Sequence, residues 1–235
     1  AFFGAFIYRF PSRRVFVIGV TGTKGKTTVL ALLDAVLEGA GKKTALLSSL
    51  RVKISEKSEK NKFGNTMPGR FYIQRFLFRA AKTSCKYALI EVTSEGVASH
   101  RHRFINWNAG VITNIAPEHI ESHGSFEKYR AAKLSFLRYV AKKGGKVLIN
   151  KDDDASRYFA ENLGGRAALF SKNDGKIIPV FPEHHPVRSA SGDAPEIVLS
   201  DFNRENIAAA AVLALGLGIS EKTIRDSLQN FKGVP

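Results

Sequence analysis

The segment Thr21-Gly22-Thr23-Lys24-Gly25-Lys26-Thr27-Thr28 carries the residue types of a phosphate-binding loop. Its glycines let the backbone turn N–H groups onto a phosphate, Lys26 would neutralise phosphate oxygens, and the Thr27 hydroxyl would coordinate Mg²⁺. Val20, not Gly, stands five positions before Gly25, so the spacing departs from the standard Walker form. An apolar run precedes the loop and a helical pattern follows it, which is the context that a phosphate site requires.

Two other segments carry groups that could act beside this loop. Glu91 ends an apolar run, which places a carboxylate at the carboxyl end of a predicted strand, where ligands bind in open α/β sheets. Taken alone, that residue is better explained as a solvent-facing glutamate at the end of a strand. His119 lies between two glutamates, Glu118 and Glu121; imidazole by itself would indicate zinc, because Mg²⁺ prefers oxygen ligands. Lys133 falls on the apolar face of a predicted helix, where it must snorkel, pair or be modified.

The elements that position these residues follow from hydrophobic periodicity. Strands are predicted over 14–20, 44–48, 87–92, 109–113, 146–150, 167–170 and 197–199. Helices are predicted from 27 to 39, and over 70–82, 125–142, 152–162, 203–217 and 220–230. Segment 51–62 is polar and predicts a solvated loop or a hairpin, and 178–195 is irregular. Repeated strand-then-helix order predicts an α/β fold of the P-loop type, with a doubly wound, mostly parallel sheet flanked by helices.

Composition excludes several classes of protein. The 235 residues are 44% hydrophobic, which excludes intrinsic disorder. The single cysteine excludes a disulfide framework and a multi-cysteine zinc site, and favours a cytoplasmic setting. The net charge of +15 attracts polyanions without choosing among them. The aromatic N-terminal segment, 1–8, is too short to span a bilayer; we expect it to pack on the domain, with weak membrane-surface association as an alternative.

Several segments are similar to motifs of one family. The loop Gly-Thr-x-Gly-Lys-Thr-Thr resembles the ATP loop of the Mur ligases, which add amino acids to the peptide stem of peptidoglycan precursors. The other matching segments are 65–68 (Asn-Thr-Met-Pro), 91–96, 113–124, 129–133 (Tyr-x-x-Ala-Lys) and 203–210 (Asn-x-x-Asn-x-x-Ala-Ala). The chain departs from the family at Met67 and Thr93, where it lacks a Thr and a Ser, at both glutamates beside His119, and before Asn203, where the usual Gly is absent.

The resemblance implies a role for each matching residue. It implies Lys26, His119 and Lys133 as catalytic residues, with ATP and two Mg²⁺ ions as cofactors and Lys133 carbamylated. The implied metal ligands are Thr27, Glu91, His119 and Lys133. The implied nucleotide-binding residues are Gly22, Thr23, Lys24, Gly25, Lys26, Thr27, Thr28, Asn114, Asn203 and Asn206. The implied substrate-binding residues are Asn65, Thr66, Thr93, Ser94 and Arg101.

The resemblance also implies a function and a domain plan. The chain looks most like the family members that add the third stem residue, through an acyl phosphate of a UDP-N-acetylmuramoyl-peptide. Residues 1–14 would form an N-terminal segment, 15–230 the central ATP-binding domain, and 231–235 the hinge to an absent C-terminal domain. We therefore expect this chain alone to be nearly inactive. Its expected partners are the UDP-muramoyl peptide and an amino acid, with no nucleic acid.

Other functions remain open at this point. Three related classes of ligase share the loop: folylpolyglutamate synthetases, cyanophycin synthetases and muramoyl amidating subunits. Folylpolyglutamate synthetases usually vary the loop sequence. Muramoyl amidating subunits usually carry a cysteine cluster for zinc, which a single cysteine cannot supply. A degenerate, non-catalytic module that binds polyanions through its +15 charge is the alternative from a different class. The presence together of Lys26, Thr27, Glu91, His119 and Lys133 argues against degeneracy.

Overall fold

One mixed sheet forms the centre of the molecule. The computed structural model describes residues 1–63, 66–117, 124–173, 201–231 and 233, without the side chains of 201 and 202. The described strands are β1 (Phe16–Thr21), β2 (Thr44–Leu47), β3 (Arg51–Ile54), β4 (Lys57–Lys60), β5 (Tyr87–Glu91), β6 (Trp107–Ile112), β7 (Lys146–Asn150) and β8 (Ala167–Phe170). Their order is β4-β3-β2-β5-β1-β6-β7-β8. The six strands β2-β5-β1-β6-β7-β8, in their order across the sheet, pair in parallel. Strands β3 and β4 add an antiparallel hairpin at the edge next to β2.

Helices cover both faces of the sheet. The described helices are α1 (Phe2–Ile7), α2 (Lys26–Gly39), α3 (Arg70–Lys82), α4 (Ser94–Ala98), α5 (Phe126–Lys142), α6 (Ser156–Leu163), α7 (Asp201–Gly216) and α8 (Glu221–Gln229). One apolar cluster joins the sheet to α3, α5 and α6, and a second joins it to α2, α7 and α8. Val17 belongs to the first and Ile18 to the second, as the alternation of side chains along a strand requires. The predicted doubly wound α/β class is confirmed. Over the described ranges, no helix is both long and apolar enough to cross a bilayer.

The topology creates a crevice at the carboxyl end of β1. The chain leaves β1 for β2 on one side and later returns to β6 on the other, so the connections diverge above β1. Ligands of open α/β sheets bind at such a switch point. The loop after β1, the end of β5 and the end of β6 meet there, since β1 pairs with both neighbours.

Most predicted elements agree with the structure within two residues, and 51–62 takes the hairpin form of its two predicted alternatives; one helix starts later than predicted, and two short helices were not predicted. The polar segment at 51–62 contains the hairpin β3–β4. Helix α6 begins at Ser156 instead of 152, because the Asp153 carboxylate accepts hydrogen bonds from the backbone N–H groups of Ile115 and Ala155 and holds a turn. Helices α1 and α4 were not predicted; α1 packs on α3, with the rings of Tyr8 and Phe71 5.3 Å apart. The strand predicted at 197–199 and the irregular segment 178–195 lie outside the described residues.

Candidate active site

The phosphate loop is a tightly fitted turn between β1 and α2. Gly22 and Gly25 have φ values of 145° and 82°, which residues with a Cβ rarely adopt. A Cβ on Gly22 would overlap the Thr113 hydroxyl, and one on Gly25 would overlap the Asn206 amide. The loop is therefore closely packed against the end of β6 and against α7.

Residues that follow β6 fix the path of the loop. The Asn114 side chain accepts a hydrogen bond from the Lys24 backbone N–H (2.9 Å), and its carbonyl accepts one from the Thr23 N–H (3.0 Å). The Thr113 hydroxyl donates to the Lys24 carbonyl (2.7 Å). The Thr23 hydroxyl lies 3.0 Å from that of Tyr129, on α5. These contacts hold Thr23 and Lys24 in place before α2 begins; Thr28 lies in its first turn.

Two lysines converge on one carbonyl of this loop. Lys26 Nζ donates to the carbonyls of Gly22 (3.0 Å) and Thr23 (2.8 Å). Lys133 Nζ donates to the same Gly22 carbonyl (2.8 Å) and lies 4.5 Å from the centre of the Tyr129 ring. The Lys133 side chain is buried, with 1% of its surface exposed. The loop therefore has two neighbouring cations, which suits a ligand carrying several negative charges.

Oxygen atoms that could bind a metal ion lie close together beside the first turn of α2. The Thr27 hydroxyl donates to Glu91 Oε2 (2.8 Å) and lies 2.9 Å from the Ser49 hydroxyl, while the Ser49 N–H also donates to Glu91 Oε2 (2.9 Å). Hydroxyl and carboxylate oxygens are the ligands that Mg²⁺ prefers. Among the described residues, no group of three His, Cys, Asp or Glu is close enough to hold a metal ion. A metal at this place would need hydroxyl or phosphate oxygens as well.

Ser49 was not predicted from the sequence as a site residue. It follows β2, whose register with β5 pairs Leu47 with Ile90 and so brings Ser49 beside Glu91. A single serine after a strand has no distinguishing spacing, and only strand order, which the sequence does not give, identifies its neighbour.

An unsatisfied amide points at the loop from α7. Asn206 is 1% exposed, and neither Oδ1 nor Nδ2 has a hydrogen-bond partner among the described residues. Leaving such a group unpaired costs about 1 to 3 kcal/mol, so it is typical of a site completed by a ligand. Asn203 lies partly buried one turn earlier on α7.

A polar network between the ends of β6 and β7 and helix α7 was also not predicted from the sequence. Asn150 Nδ2, at the end of β7, donates to the Thr113 carbonyl (2.9 Å) and to Glu205 Oε2 (2.8 Å). Burial raises the pKa of Glu205, and it also raises the pKa of Asp153. The network ties the ends of β6 and β7 to α7. Polar residues directly after a buried strand, as at 150–153, are the pattern that could have identified it.

The predicted substrate-binding residues form a second group near α4. The Thr93 hydroxyl accepts a hydrogen bond from the Gly96 N–H (3.1 Å) and caps α4, and Ser94 is buried. The Arg101 guanidinium donates to the Met67 carbonyl, and the Met67 side chain fills the space above Gly96. The structure thus brings Thr93, Arg101 and the 66–68 segment, including partly buried Thr66, together. Asn65 and His119 lie outside the described residues.

Comparisons with known proteins agree with this architecture. The family model of the Mur ligase middle domain matches residues 20–214. A UDP-N-acetylmuramoyl-L-alanyl-D-glutamate--2,6-diaminopimelate ligase from Halalkalibacterium halodurans is 30% identical over 97% of this chain and 49% of its own length. One of the same name from Chlamydia trachomatis is 35% identical over 70% of this chain and 33% of its own.

Solved structures share the fold. A structure of a ligase of that same name superimposes with a TM-score of 0.75 at 20% identity, over 99% of this chain and 50% of the other. MurF from Acinetobacter baumannii superimposes with a TM-score of 0.68 at 18% identity, over 98% of this chain and 49% of the MurF chain. The chain spans about half the length of the first curated relatives that it matches. The family match covers most of the sequence, including the phosphate loop, and the chain belongs to the Mur ligase middle-domain family.

Proposed function

We propose that this chain is the ATPase core of an ATP-dependent amide ligase that extends the peptide of a peptidoglycan precursor. The observation that carries the proposal is the convergence of Lys26 and Lys133 on the Gly22 carbonyl, inside a strand–loop–helix turn. A site that only packed would gain little from burying a second ammonium group beside the first. Lys26 at the glycine-rich turn supplies positive charge for transfer of a phosphoryl group, and the buried Lys133 amine beside it is the group that carbamylation would convert from a cation to a carboxylate-like metal ligand.

The residues present fit ATP and Mg²⁺, the cofactors that the family resemblance implies. Gly22 and Gly25 give the loop the positive-φ backbone of a phosphate-binding turn, packed against Thr113 and Asn206, and the orphaned Asn206 amide supplies a donor and an acceptor to a nucleotide. Thr27 and Glu91 would hold one Mg²⁺, with Ser49 beside them. His119 and a carbamylated Lys133 would hold a second; an unmodified ammonium group has no lone pair for a metal. Bound Mg·ATP supplies the γ-phosphoryl group that converts the substrate carboxylate to an acyl phosphate.

Residues of this chain would then position the substrates and neutralise the negative charge of the phosphates. Lys26 would exchange its loop carbonyls for phosphate oxygens and offset the charge that develops during transfer. Thr93, Ser94 and Arg101, with Asn65 and Thr66, would hold the UDP-muramoyl peptide so that its terminal carboxylate lies in line with the phosphate. The network from Asn150 to Glu205 would keep α7, and with it Asn203 and Asn206, in register with the loop.

The proposal extends to the surroundings of this core. Residues 15–230 would form the central domain and 231–235 the hinge to a C-terminal domain that supplies the amino-acid pocket, and the protein would act in the cytoplasm. The names of the relatives suggest the dipeptide precursor and 2,6-diaminopimelate as the first substrates to test. We further propose that the N-terminal segment contacts a membrane surface, a property independent of the ligase chemistry.

An activity assay tests the ligase proposal. The chain is joined through residues 231–235 to the C-terminal domain of the Halalkalibacterium halodurans relative, and phosphate release is measured with UDP-N-acetylmuramoyl-L-alanyl-D-glutamate and 2,6-diaminopimelate. We expect substrate-dependent release and a tripeptide product, both lost in Lys26→Ala and kept in Lys43→Ala, an exposed lysine outside the site. ATP turnover that ignores both substrates would contradict the proposal, and rapid tripeptide formation by the unjoined chain would contradict the domain assignment.

A further inference from the structure

The N-terminal helix α1 presents aromatic side chains to solvent. Phe3 is 78% exposed, Phe6 63% and Ile7 60%. Exposing this much apolar surface at one place is unfavourable in water, and a contiguous patch of this kind marks an interaction site. The ring of Phe2 lies 5.6 Å from that of Phe104, so the patch continues from α1 onto the segment before β6.

A basic cavity adjoins the aromatic patch. It has a volume of about 480 Å³ and is lined by Phe10 and Phe104 together with the cationic side chains of Arg13, Arg103, Lys142 and Lys143. Arg13 lies 4.9 Å from the centre of the Phe10 ring. Phe104 belongs to both features, so the cavity and the exposed rings form one continuous surface. We call it the amino-edge face: Phe2, Phe3, Phe6, Phe104, Arg13, Arg103, Lys142 and Lys143.

The segments that build the amino-edge face contain no acidic residues. Asp and Glu are absent from 1–33, 96–117 and 128–151, and also from 62–90, which includes the neighbouring helix α3. The cations of the face therefore have no carboxylate from their own segments to neutralise them. The face itself carries four of the chain's 36 Lys and Arg residues.

The face lies at the end of the sheet opposite the phosphate loop. Arg13 precedes β1, Phe104 precedes β6 and Lys143 precedes β7, so the face surrounds the amino ends of these parallel strands. The loop, Glu91 and Thr113 lie at the carboxyl ends. A large partner could cover the amino-edge face without closing the nucleotide crevice.

We propose that the amino-edge face docks on a lipid membrane rich in anionic headgroups. Lys and Arg near such a surface are attracted by its negative potential, and exposed aromatic rings enter the headgroup region, where both their apolar bodies and the neighbouring charges are accommodated. A nucleic acid would use the charges but would leave the exposed Phe3 and Phe6 in water. The inference specifies the membrane contact proposed for the N-terminal segment and does not depend on the ligase proposal.

Flotation of the full chain with lipid vesicles tests the proposal. The vesicles contain phosphatidylcholine alone, or phosphatidylcholine and phosphatidylglycerol in equal amounts. We expect binding only to the anionic vesicles. Phe3→Ser with Phe6→Ser is expected to lower the partition coefficient about tenfold or more, because two exposed rings no longer insert. Arg103→Glu with Lys143→Glu should lower it at least about tenfold through charge.

Matched variants separate the face from general properties of the chain. Lys57→Glu with Lys60→Glu makes the same charge change on the exposed strand β4, and Leu50→Ser with Leu169→Ser removes exposed apolar groups elsewhere. Both pairs are expected to bind vesicles within about twofold of the parent chain. All of the substituted residues are exposed, so the variants should fold. Failure to bind anionic vesicles overturns the proposal, as does binding that the serine pair at Phe3 and Phe6 leaves unchanged.

Discussion

The two ends of the central sheet are built in opposite ways. At the carboxyl end, polar groups are buried and most are hydrogen-bonded to the loop or its neighbours: Lys133 and Glu91 are 1% and 3% exposed, and glycines stand where a Cβ would not fit. At the amino end, the aromatic rings and the cations are exposed. Buried, closely fitted polar groups suit a small ligand in one orientation, whereas an exposed charged and aromatic face suits an extended and yielding partner.

The largest effect is expected where the carboxyl end is packed most tightly. Gly22→Ala should lower the free energy of unfolding by about 3 kcal/mol, because the new Cβ strains a glycine-only conformation and overlaps the Thr113 hydroxyl. Urea unfolding measures the loss. Gly41→Ala is the control: its φ is also positive, at 70°, but nothing lies within 4 Å of the Cβ, so the loss should be about 1 kcal/mol. Equal losses would show that the fit at Gly22 is unimportant.

A buried histidine behind the amino-edge face should make stability depend on pH. Burial, with the nearby charges of Arg103 and His100, lowers the pKa of His102 to about 4 from 6.5. Between these pH values the His102 imidazole is protonated in the unfolded chain but stays neutral in the folded chain. The free energy of unfolding is therefore highest above pH 6.5 and decreases as the pH falls toward 4.

The loss should be about 2 kcal/mol, less than the full shift implies because the contributions of Arg103 and His100 are screened. The His102→Phe variant, whose ring can still pack on Tyr139, should lose less stability between these pH values than the parent chain. The His100→Gln variant removes only the smallest of the three causes at an exposed residue, so it should keep most of the parent's loss. Identical pH profiles for His102→Phe and the parent would contradict the assignment.

Asn206 should reveal a conflict between stability and binding. Replacing it with Leu removes an unpaired buried amide, so the free protein should be about 1 kcal/mol more stable. The affinity for Mg·ATP should fall about tenfold or more, because the nucleotide loses a donor and an acceptor. Thermal unfolding and calorimetry on the same samples give both quantities. A less stable variant with unchanged affinity would mean that the amide serves the fold and not the ligand.

The smallest effect on stability is expected at the exposed amino-edge face. Phe3→Ser with Phe6→Ser should change the free energy of unfolding by no more than about 0.5 kcal/mol, because most of each side chain is already in water. Urea unfolding measures the change. A loss comparable to that of Gly22→Ala would show that these rings hold the fold together, and the contrast between the two ends of the sheet would disappear.

Sequence periodicity predicted the parts of the fold that alternate or repeat over several residues. Strands such as 146–150 and helices such as 70–82 agree with the structure because their apolar positions fix one face. Helix α1 has six residues, too few to show a helical period, and all of its large side chains are apolar. In β3, Lys53 is buried because Asp34, on α2, accepts its hydrogen bond (2.6 Å), and a polar strand residue gives no indication of a distant partner.

The residues of the candidate site also divide into those that local spacing predicts and those that depend on contacts between distant parts of the chain. Gly25, Lys26 and Thr27 share one continuous loop, so their spacing alone predicts their chemistry. Ser49 and Glu205 reach the site through strand order and through the packing of α7, which depend on contacts between residues far apart in the chain. The carbamylation of Lys133 and the metal role of His119 stay predictions.

Calorimetric titration of Mg·ATP into this chain tests the central claim most directly. We expect one site, binding that requires Mg²⁺, and its loss in Lys26→Ala but not in Lys43→Ala. The loop carbonyls that Lys26 now contacts would release it to the phosphates. The contradictory result is an absence of ATP binding, or binding that persists in Lys26→Ala, since the Lys26 ammonium group would then serve no nucleotide.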